Sequence, residues 1–341
     1  MSTLDHSDAP QPQRLAPIFL EKIWGGSRLE AVTGLGTGGR ERVGEVWLAA
    51  DLEGRQSLVN EGSDEGLTLG QLARTRAAQI MGSAALNEAE RFPVLVKFLD
   101  TDKPLSVQVH PDAATARRLS AGVSGKSEAW YILAAEPDSL IHLGLRPEVD
   151  ARAFAAGATG ADVVDLLNPV PVQAGDFFHV PPGTVHAIGA GITLLEVSDC
   201  ADITYRLFDW DRLDENGQSR PVHPEEALLS VDYERVTQTD GTVELVSAGS
   251  ASRRARLVDE AAFAMELLRV GDELDLSAEE AALLYVVLGG AGQLVSAAGE
   301  REIVAGECWL LPAQLGTHSL VAGPDELSVM RVETRSAEAR P

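Results

Sequence analysis

The sequence is divided into short apolar runs that are separated by turns rich in glycine and proline. Three such runs, at 170–172, 176–180 and 193–197, are separated by turns that include Gly175 and Pro181-Pro-Gly183. Runs of this length that are rich in Val, Leu and Phe are typical of strands, and the turns limit the length of each strand. Short strands at such intervals predict a mainly β chain that contains a jelly-roll barrel.

Helical patterns interrupt this first barrel, and a second barrel is expected to follow it. Residues 147–157 and 160–167 predict two short helices, with Asp162 able to cap the second one. Further on, Gly306-Glu-Cys-Trp-Leu-Leu-Pro-Ala repeats the pattern of Gly175-Asp-Phe-Phe-His-Val-Pro-Pro, which predicts a second, smaller barrel. We therefore expect a flexible tail at 1–14, a first domain with the helical insertion at 15–235, and a second domain at 240–341.

Composition excludes several classes of partner. The chain has 341 residues, and 28 Lys and Arg against 52 Asp and Glu give a net charge of −24. Such an acidic chain is not expected to bind nucleic acid or an anionic membrane. No run reaches the length of a membrane span, and no signal peptide is visible. Cys200 and Cys308 lie far apart in the sequence, which fits the reducing cytoplasm. The oligomeric state is left open.

Four residues form a candidate metal site in the first predicted domain. Gln108 and His110 are two positions apart, so on a strand they point to the same face. Glu128 begins an apolar run, and His186 follows the Pro-Pro-Gly turn. Nitrogen and oxygen ligands in this mixture suit zinc with an open position better than calcium or magnesium. The alternative is that these residues are unrelated, because their wide spacing lacks the compactness of a paired CxxC or an HExxH motif.

The sequence around these residues resembles the type I mannose-6-phosphate isomerases (phosphomannose isomerases) in their shorter bacterial form. The resemblance is dense from about residue 15 to about residue 225 and thin afterwards. It is carried by seven segments: Pro17-Ile-Phe-Leu-Glu-Lys-Ile-Trp24-Gly-Gly, Gly44-Glu-Val-Trp47, Pro93-Val-Leu-Val-Lys97-Phe-Leu-Asp, Leu105-Ser-Val-Gln-Val-His-Pro111, Gly125-Lys-Ser-Glu-Ala-Trp-Tyr131, Val180-Pro-Pro-Gly-Thr-Val-His-Ala187 and Thr204-Tyr-Arg-Leu-Phe-Asp-Trp-Asp-Arg212.

The resemblance implies roles for four charged residues. It places Lys97 and Lys126 in the substrate pocket, makes Arg206 catalytic, and makes Asp202 a candidate for proton transfer. Two alternatives stand beside these roles. Lys97 would also be explained by a solvated strand face, and Arg206 by a surface stretch of ion pairs, because acidic and basic residues follow it at 209–212.

The implied activity is that of a zinc-dependent enzyme with one metal per chain. It would interconvert mannose 6-phosphate and fructose 6-phosphate through a cis-enediol. The sequence leaves the proton-transfer group open among Asp202, Glu128, Lys126 and a water on the metal. Two alternatives are a sugar-phosphate-binding barrel without turnover, and an isomerase of another aldose or sugar phosphate. In the second barrel His318 has no Gln-x-His partner upstream, so that barrel is expected to be structural, with His318 a polar turn residue.

Overall fold

The computed structural model describes residues 10–335, except 63, 120, 122–123, 215, 236–239 and 278. Strands dominate, so the prediction of a mainly β chain is confirmed. Among the helices that the structure describes, none combines the length and the apolar character that a membrane span requires.

The described strands and helices, in chain order, have the following bounds. The strands are β1 (Gln13–Leu15), β2 (Ile18–Gly26), β3 (Val43–Ala49), β4 (Asp51–Leu52), β5 (Arg55–Gln56), β6 (Val94–Thr101), β7 (Val107–Val109), β8 (Glu128–Ala135), β9 (Leu140–Leu145), β10 (Leu167–Pro171), β11 (Phe177–Val180), β12 (His186–Ile188), β13 (Ile192–Asp199), β14 (Tyr205–Phe208), β15 (Val246–Ser247), β16 (Arg253–Asp259), β17 (Phe263–Val270), β18 (Glu273–Leu276), β19 (Leu283–Gly289), β20 (Ala291–Ser296), β21 (Gly299–Val304), β22 (Cys308–Leu311), β23 (His318–Ala322) and β24 (Leu327–Thr334). The helices are α1 (Leu29–Thr33), α2 (Leu69–Thr75), α3 (Ala77–Ile80), α4 (Ala113–Arg118), α5 (Ala151–Gly157) and α6 (Pro224–Ser230), with short 3-10 helices at Ala161–Leu166 and Ala313–Leu315.

Two sheets form the first half of the molecule. The larger has the strand order β11-β8-β13-β6-β2-β3, and the smaller has the order β10-β9-β12-β7-β14. They pack on each other, because one buried cluster contains Leu99 and Trp130 from the larger sheet and Leu143 and Ile188 from the smaller. Strand β6 is buried along its whole length, as its nearly unbroken apolar sequence requires. The polar side chains of the candidate site extend from these two sheets.

A second pair of sheets follows in the C-terminal part. The orders are β1-β22-β19-β24-β17-β16-β15 and β18-β23-β20-β21, and one apolar cluster joins the two sheets. Another cluster joins this pair to the first half, because it contains Phe98 and Leu195 as well as Met265 and Val332. The hydrophobic core is therefore continuous between the two predicted domains.

The start of the described chain corrects the prediction of a tail at 1–14. Residues 13 and 14 belong to strand β1, in which Gln13 pairs with Leu310 of β22. The buried Gln13 side chain also donates a hydrogen bond to Asp64, at 3.1 Å. Backbone pairing and a satisfied buried amide hold this segment in place. Residues 1–9, which include His6, lie outside the described residues.

The two helices predicted at 147–157 and 160–167 have different bounds in the structure. The first predicted helix, at 147–157, is α5, which begins later because the Asp150 side chain caps it by accepting from the Ala153 amide. The second is a 3-10 helix, and the predicted cap is wrong. Gly160 occupies the N-cap position, and Asp162 lies in the first turn.

Candidate metal centre and active site

The folded chain brings the four candidate ligands together. Strand β7 carries Gln108 and leads into His110, β8 begins at Glu128, and β12 begins at His186. His186 and Gln108 are register partners in the smaller sheet. One ligand atom each from His110, Glu128 and His186 lies within 4.8 Å of the others, and all three residues are buried. Residues that are far apart in sequence thus form one compact donor group.

Backbone carbonyls fix the tautomer of both histidines. The Nδ1 atom of His110 lies 2.7 Å from the carbonyl oxygen of Ile203, and that of His186 lies 2.9 Å from the carbonyl oxygen of Thr184. A carbonyl oxygen only accepts, so each Nδ1 carries a proton, and in the neutral form of each ring the lone pair is on Nε2. Both Nε2 atoms are directed towards the same space, in the arrangement that backbone carbonyls bonded to Nδ1 impose on metal-binding histidines.

Glu128 completes a group that fits a divalent cation. Its Oε1 lies 3.0 Å from His110 Nε2, and its Oε2 lies 3.8 Å from His186 Nε2. The Nε2 atom of His110 is buried and has no hydrogen-bond partner within the described residues. A lone pair that faces a carboxylate without a proton between them is unfavourable, and a cation held by both groups removes that cost. The donor set therefore fits a metal.

The pKa values at this site favour the protonation state that metal binding needs. Burial alone raises the pKa of Glu128, but Lys126 and then His110 and His186 lower it well below its usual value. Burial is the main cause that lowers the pKa of His186 to about 4, and His110 lowers it further. The carboxylate is thus ionised and His186 is neutral near pH 7.

The Gln108 amide lies beside this group. Its Nε2 is 3.2 Å from His186 Nε2, and its Oε1 accepts a hydrogen bond from Ser106 Oγ at 3.0 Å. Oxygen and nitrogen of an amide are distinguished only by the surrounding hydrogen bonds, and a half-turn of the amide exchanges their positions. The amide nitrogen of Gln108 therefore faces His186, and its amide oxygen faces Ser106.

Two buried lysines lie in the same cavity. Lys126 Nζ is 2.6 Å from Glu128 Oε1 and 3.8 Å from Glu196 Oε1, and Lys97 Nζ is 3.0 Å from Glu196 Oε1. Burial lowers the pKa of Lys97, but Glu196, Glu45 and Glu128 outweigh it and raise this pKa above its usual value. Lys97 is only 8% exposed, so the alternative of a solvated strand face is wrong.

Arg206 and Asp202 line the same cavity, whose volume is about 160 Å³. The Nε atom of Arg206 donates to Ser106 Oγ at 3.1 Å, and its Nη1 donates to the Pro221 carbonyl at 2.9 Å. Within the described chain no carboxylate forms an ion pair with Arg206. The nearby Asp209 is instead bound by Arg212 and Arg220, so the alternative of a surface ion pair at Arg206 is wrong. Asp202 is exposed at the edge of the cavity.

Sequence reasoning missed Glu196, Glu45 and Ser106. Glu196 pairs with Lys97 in the register of β13 and β6, and it lies between the two lysines. Glu45 is 3.2 Å from Lys22 and accepts from the Trp47 indole at 2.8 Å. A signal for Glu196 was available, because it interrupts an apolar strand as Lys97 does. Opposite charges in two such strands indicate that the strands are neighbours.

His318 has a different setting in the C-terminal sheets. It is the first residue of β23 rather than a turn residue, and it is buried. Its Nε2 lies 2.6 Å from the hydroxyl of Tyr285. The contact satisfies two buried polar groups at once, which is a structural role.

Comparison with known proteins decides the family. The family model for the phosphomannose isomerase type I catalytic domain matches residues 13–133. Mannose-6-phosphate isomerase ManA of Bacillus subtilis is 34% identical over 314 residues, which cover 91% of this chain and 96% of that protein. The chain belongs to the type I phosphomannose isomerase family. Mannose-6-phosphate isomerase of Streptococcus mutans is 33% identical over 304 residues, which cover 87% of this chain and 92% of the relative.

The fold of this type I family member agrees with a solved structure. The crystal structure of mannose 6-phosphate isomerase from Bacillus subtilis superimposes with a TM-score of 0.84 at 29% identity, covering 94% of this chain and 99% of that one. The segment that the family model matches contains Lys97, Gln108, His110, Lys126 and Glu128 but ends before His186. The candidates His186, Asp202 and Arg206 lie beyond that segment.

Proposed function

We propose that the protein is a zinc-dependent mannose-6-phosphate isomerase that interconverts mannose 6-phosphate and fructose 6-phosphate. The observation that carries this proposal is the buried group of His110, Glu128 and His186, whose two Nε2 atoms and one carboxylate face each other. Lys126, Lys97 and Arg206 supply positive charge around it. This local charge offsets the acidic surface, which by itself repels an anionic sugar phosphate.

His110, Glu128 and His186 would hold the zinc, with Gln108 as a fourth ligand after a half-turn of its amide. Two neutral imidazoles, one carboxylate and a position left for substrate are typical of catalytic zinc. Zinc bound there would polarise the carbonyl and hydroxyl oxygens of the open-chain sugar.

The chain's own residues would then move one proton between C2 and C1. A base takes the C2 proton, and the electron pair of that bond forms the C1–C2 double bond while the carbonyl oxygen at C1 gains a proton. The resulting cis-enediol gains a proton at C1 and loses the hydroxyl proton at O2, which leaves the ketone at C2. Aldose and ketose are isomers, so no further reactant is consumed.

Asp202 and Lys126 are the two candidates for that base among the side chains, and a water on the metal is the third candidate. Glu128 is a poor free base, because its carboxylate already contacts Lys126, His110 and the Trp130 indole. Asp202 lines the cavity and forms no ion pair in the described part of the chain. Exchange of a C2 deuterium of labelled substrate with solvent separates the two side chains. Loss of this exchange in Asp202→Asn would identify Asp202 as the base, and its loss in Lys126→Met would identify Lys126.

Arg206 would stabilise the charge that develops on the enediol oxygens or hold the phosphate. Its guanidinium is held by Ser106 and Pro221 and has no carboxylate to neutralise it within the described residues. A fixed, unneutralised cation is effective because no reorganisation is needed when the charge forms.

We also propose that the two pairs of sheets are two jelly-roll barrels, at 15–235 and 240–341, and that the second holds no metal. Each pair encloses its own apolar cluster, as two packed sheets do. Cys200 and Cys308 are both free and buried, which supports a cytoplasmic location.

The test is removal and return of the metal. A chelator should abolish formation of fructose 6-phosphate in a coupled assay, and zinc should restore it. Full activity of a verified metal-free preparation would contradict the zinc proposal. Tight binding of sugar phosphate without turnover would favour the binding-protein alternative, and preference for another sugar in a panel of aldoses and sugar phosphates would change the substrate.

A further inference from the structure

A larger cavity, of about 480 Å³, lies behind the loop that carries His186. Gly183, Thr184 and Val185 line it, and the next residue along the chain is the candidate ligand His186. The residues that line this cavity are all different from those that line the cavity around Lys126 and Arg206. It is thus a separate space that shares only the loop with the candidate active site.

Two buried polar atoms at this cavity lack a partner. They are Nε of Arg146 and Oγ1 of Thr184, neither of which has a hydrogen-bond partner within the described residues. Thr184 is only 4% exposed, and Arg146 follows the end of β9. Buried polar groups without a partner are costly, so each one that persists in a native protein needs an explanation. Both atoms are closed to solvent, so a ligand in the cavity would accept hydrogen bonds from them only together with a shift of the Arg146 side chain and of the loop.

The charges around the cavity indicate the sign of that ligand. Asp232 is already paired with Arg235 at 3.1 Å, and Glu234 is exposed to solvent. Arg146 forms no ion pair with any residue that the structure describes, so its charge is not neutralised. A guanidinium fork binds a carboxylate or phosphate through two parallel hydrogen bonds. Val149, Val231 and Tyr233 add an apolar wall for the body of a small molecule.

The loop connects this cavity with both histidine ligands. The Gly183 amide donates to the His110 carbonyl at 2.8 Å, and the Thr184 carbonyl accepts from His186 Nδ1 at 2.9 Å. On the cavity side the Asp232 amide donates to the Gly183 carbonyl at 3.0 Å. Gly183 has a φ of +86°, and a Cβ there would lie 2.7 Å from the Cβ of Asp232, so the loop cannot shift independently of that neighbour.

We propose that this cavity is a regulatory site for a small organic anion, whose oxyanion binds Arg146 and Thr184 and whose presence alters turnover by shifting the loop that orients His186. The ligand chemistry is an oxyanion head on an apolar body small enough for the cavity. Binding at such a site changes the active site only as far as the ligand favours one loop position over another.

The test uses two probes and three variants of the zinc-loaded protein. Phenyl phosphate represents a ligand with an oxyanion head and an apolar body, and inorganic phosphate represents the oxyanion head alone. Saturating fructose 6-phosphate keeps the active site filled during the calorimetric titration. Arg146→Gln removes the fork, Arg146→Lys keeps only the charge, and Arg152→Gln removes an exposed charge on the adjacent helix α5 as a matched control.

The native protein and Arg152→Gln should bind phenyl phosphate more tightly than inorganic phosphate and change kcat at unchanged KM. Arg146→Gln should keep its basal kcat and lose about ten- to hundredfold in affinity for phenyl phosphate, the range expected for a charged hydrogen bond, with Arg146→Lys between. Equal affinity of Arg146→Gln and the native protein would overturn the proposal. So would inhibition that only raises KM, or an absence of binding. Calorimetric binding does not depend on isomerase activity, so failure of the proposed function would be seen separately.

Discussion

Gln108 and His186 face each other across neighbouring strands, with their Nε2 atoms 3.2 Å apart. The contact belongs to a chain of hydrogen bonds in which Arg206 donates to Ser106, Ser106 donates to Gln108, and the Gln108 amide meets His186. A cation that takes the Nε2 lone pair of His186 removes the acceptor of that amide. The amide would then gain by turning its oxygen inward, so we expect metal binding and the position of Arg206 to be linked.

The first prediction concerns the metal content of alanine variants. His110→Ala and His186→Ala should each lose the metal, because two remaining strong ligands rarely retain zinc. Gln108→Ala should retain most of it, because a neutral amide oxygen is a weak ligand. Metal per chain after dialysis is the measurement, and His318→Ala, whose histidine contacts Tyr285 in the C-terminal sheets, is the control that should keep a full equivalent. A full equivalent in His110→Ala or His186→Ala would show that the ligands are assigned wrongly.

Much of this site could be predicted from sequence, and the rest could not, for physical reasons. Gln108 and His110 share a face because of the two-residue period of a strand, which is a local rule. That Glu196 lies between Lys97 and Lys126 depends on which strands become neighbours, and strand order is set by long-range packing. The same limit applies to Gln13. Its polar neighbours in the sequence predict a tail, but it pairs with Leu310 of β22, which is far away along the chain.

The second prediction concerns Ser106. Its hydroxyl accepts from Arg206 and donates to Gln108, so Ser106→Ala should leave Arg206 less well positioned while the metal stays bound. We expect kcat to fall about tenfold, which corresponds to the loss of one hydrogen bond of roughly 1 to 1.5 kcal/mol, with KM nearly unchanged. Steady-state kinetics check this, and Ser106→Thr should restore part of the rate. An unchanged kcat in Ser106→Ala would mean that Arg206 does not depend on this hydroxyl.

The third prediction concerns stability. Lys97 and Glu196 form a buried pair at 3.0 Å, so Glu196→Gln leaves a buried ammonium without its main partner. Breaking such a pair from one side typically costs about 3 to 5 kcal/mol in the free energy of unfolding. Glu88→Gln breaks the exposed pair with Arg117 and should cost less than about 1 kcal/mol. Denaturant unfolding of both variants is the measurement. Equal small losses would show that Glu45 and Glu128 are sufficient partners for Lys97.

The fourth prediction is a pH dependence of stability that arises from Asp199. Burial is the main cause that raises the pKa of this carboxyl to about 6, above the value of 3.8 that it has when unfolded. Between these two pH values the folded state binds the proton more tightly, so the contribution of Asp199 to stability falls as pH rises from about 4 to about 6. Each pKa unit corresponds to about 1.4 kcal/mol, which gives an effect of up to about 3 kcal/mol. The difference in unfolding free energy between the native protein and Asp199→Asn should change with pH in this window, and a constant difference would contradict the prediction.

The last prediction separates the possible roles of Arg206. Arg206→Ala should keep the fold and the metal, because the side chain is half-exposed at a cavity and contributes little to the apolar core. Its kcat should fall by about 10²- to 10³-fold, the loss typical of a donor that acts on charge developing in the transition state. Arg206→Lys should restore only part of the rate, because an ammonium cannot bind Ser106 and the Pro221 carbonyl in the geometry of the planar fork. If Arg206 only held the phosphate of the ground state, KM would rise while kcat stayed constant. If neither constant changed in steady-state kinetics on mannose 6-phosphate, Arg206 would have no part in the reaction, and its lack of a carboxylate partner within the described residues would need another explanation.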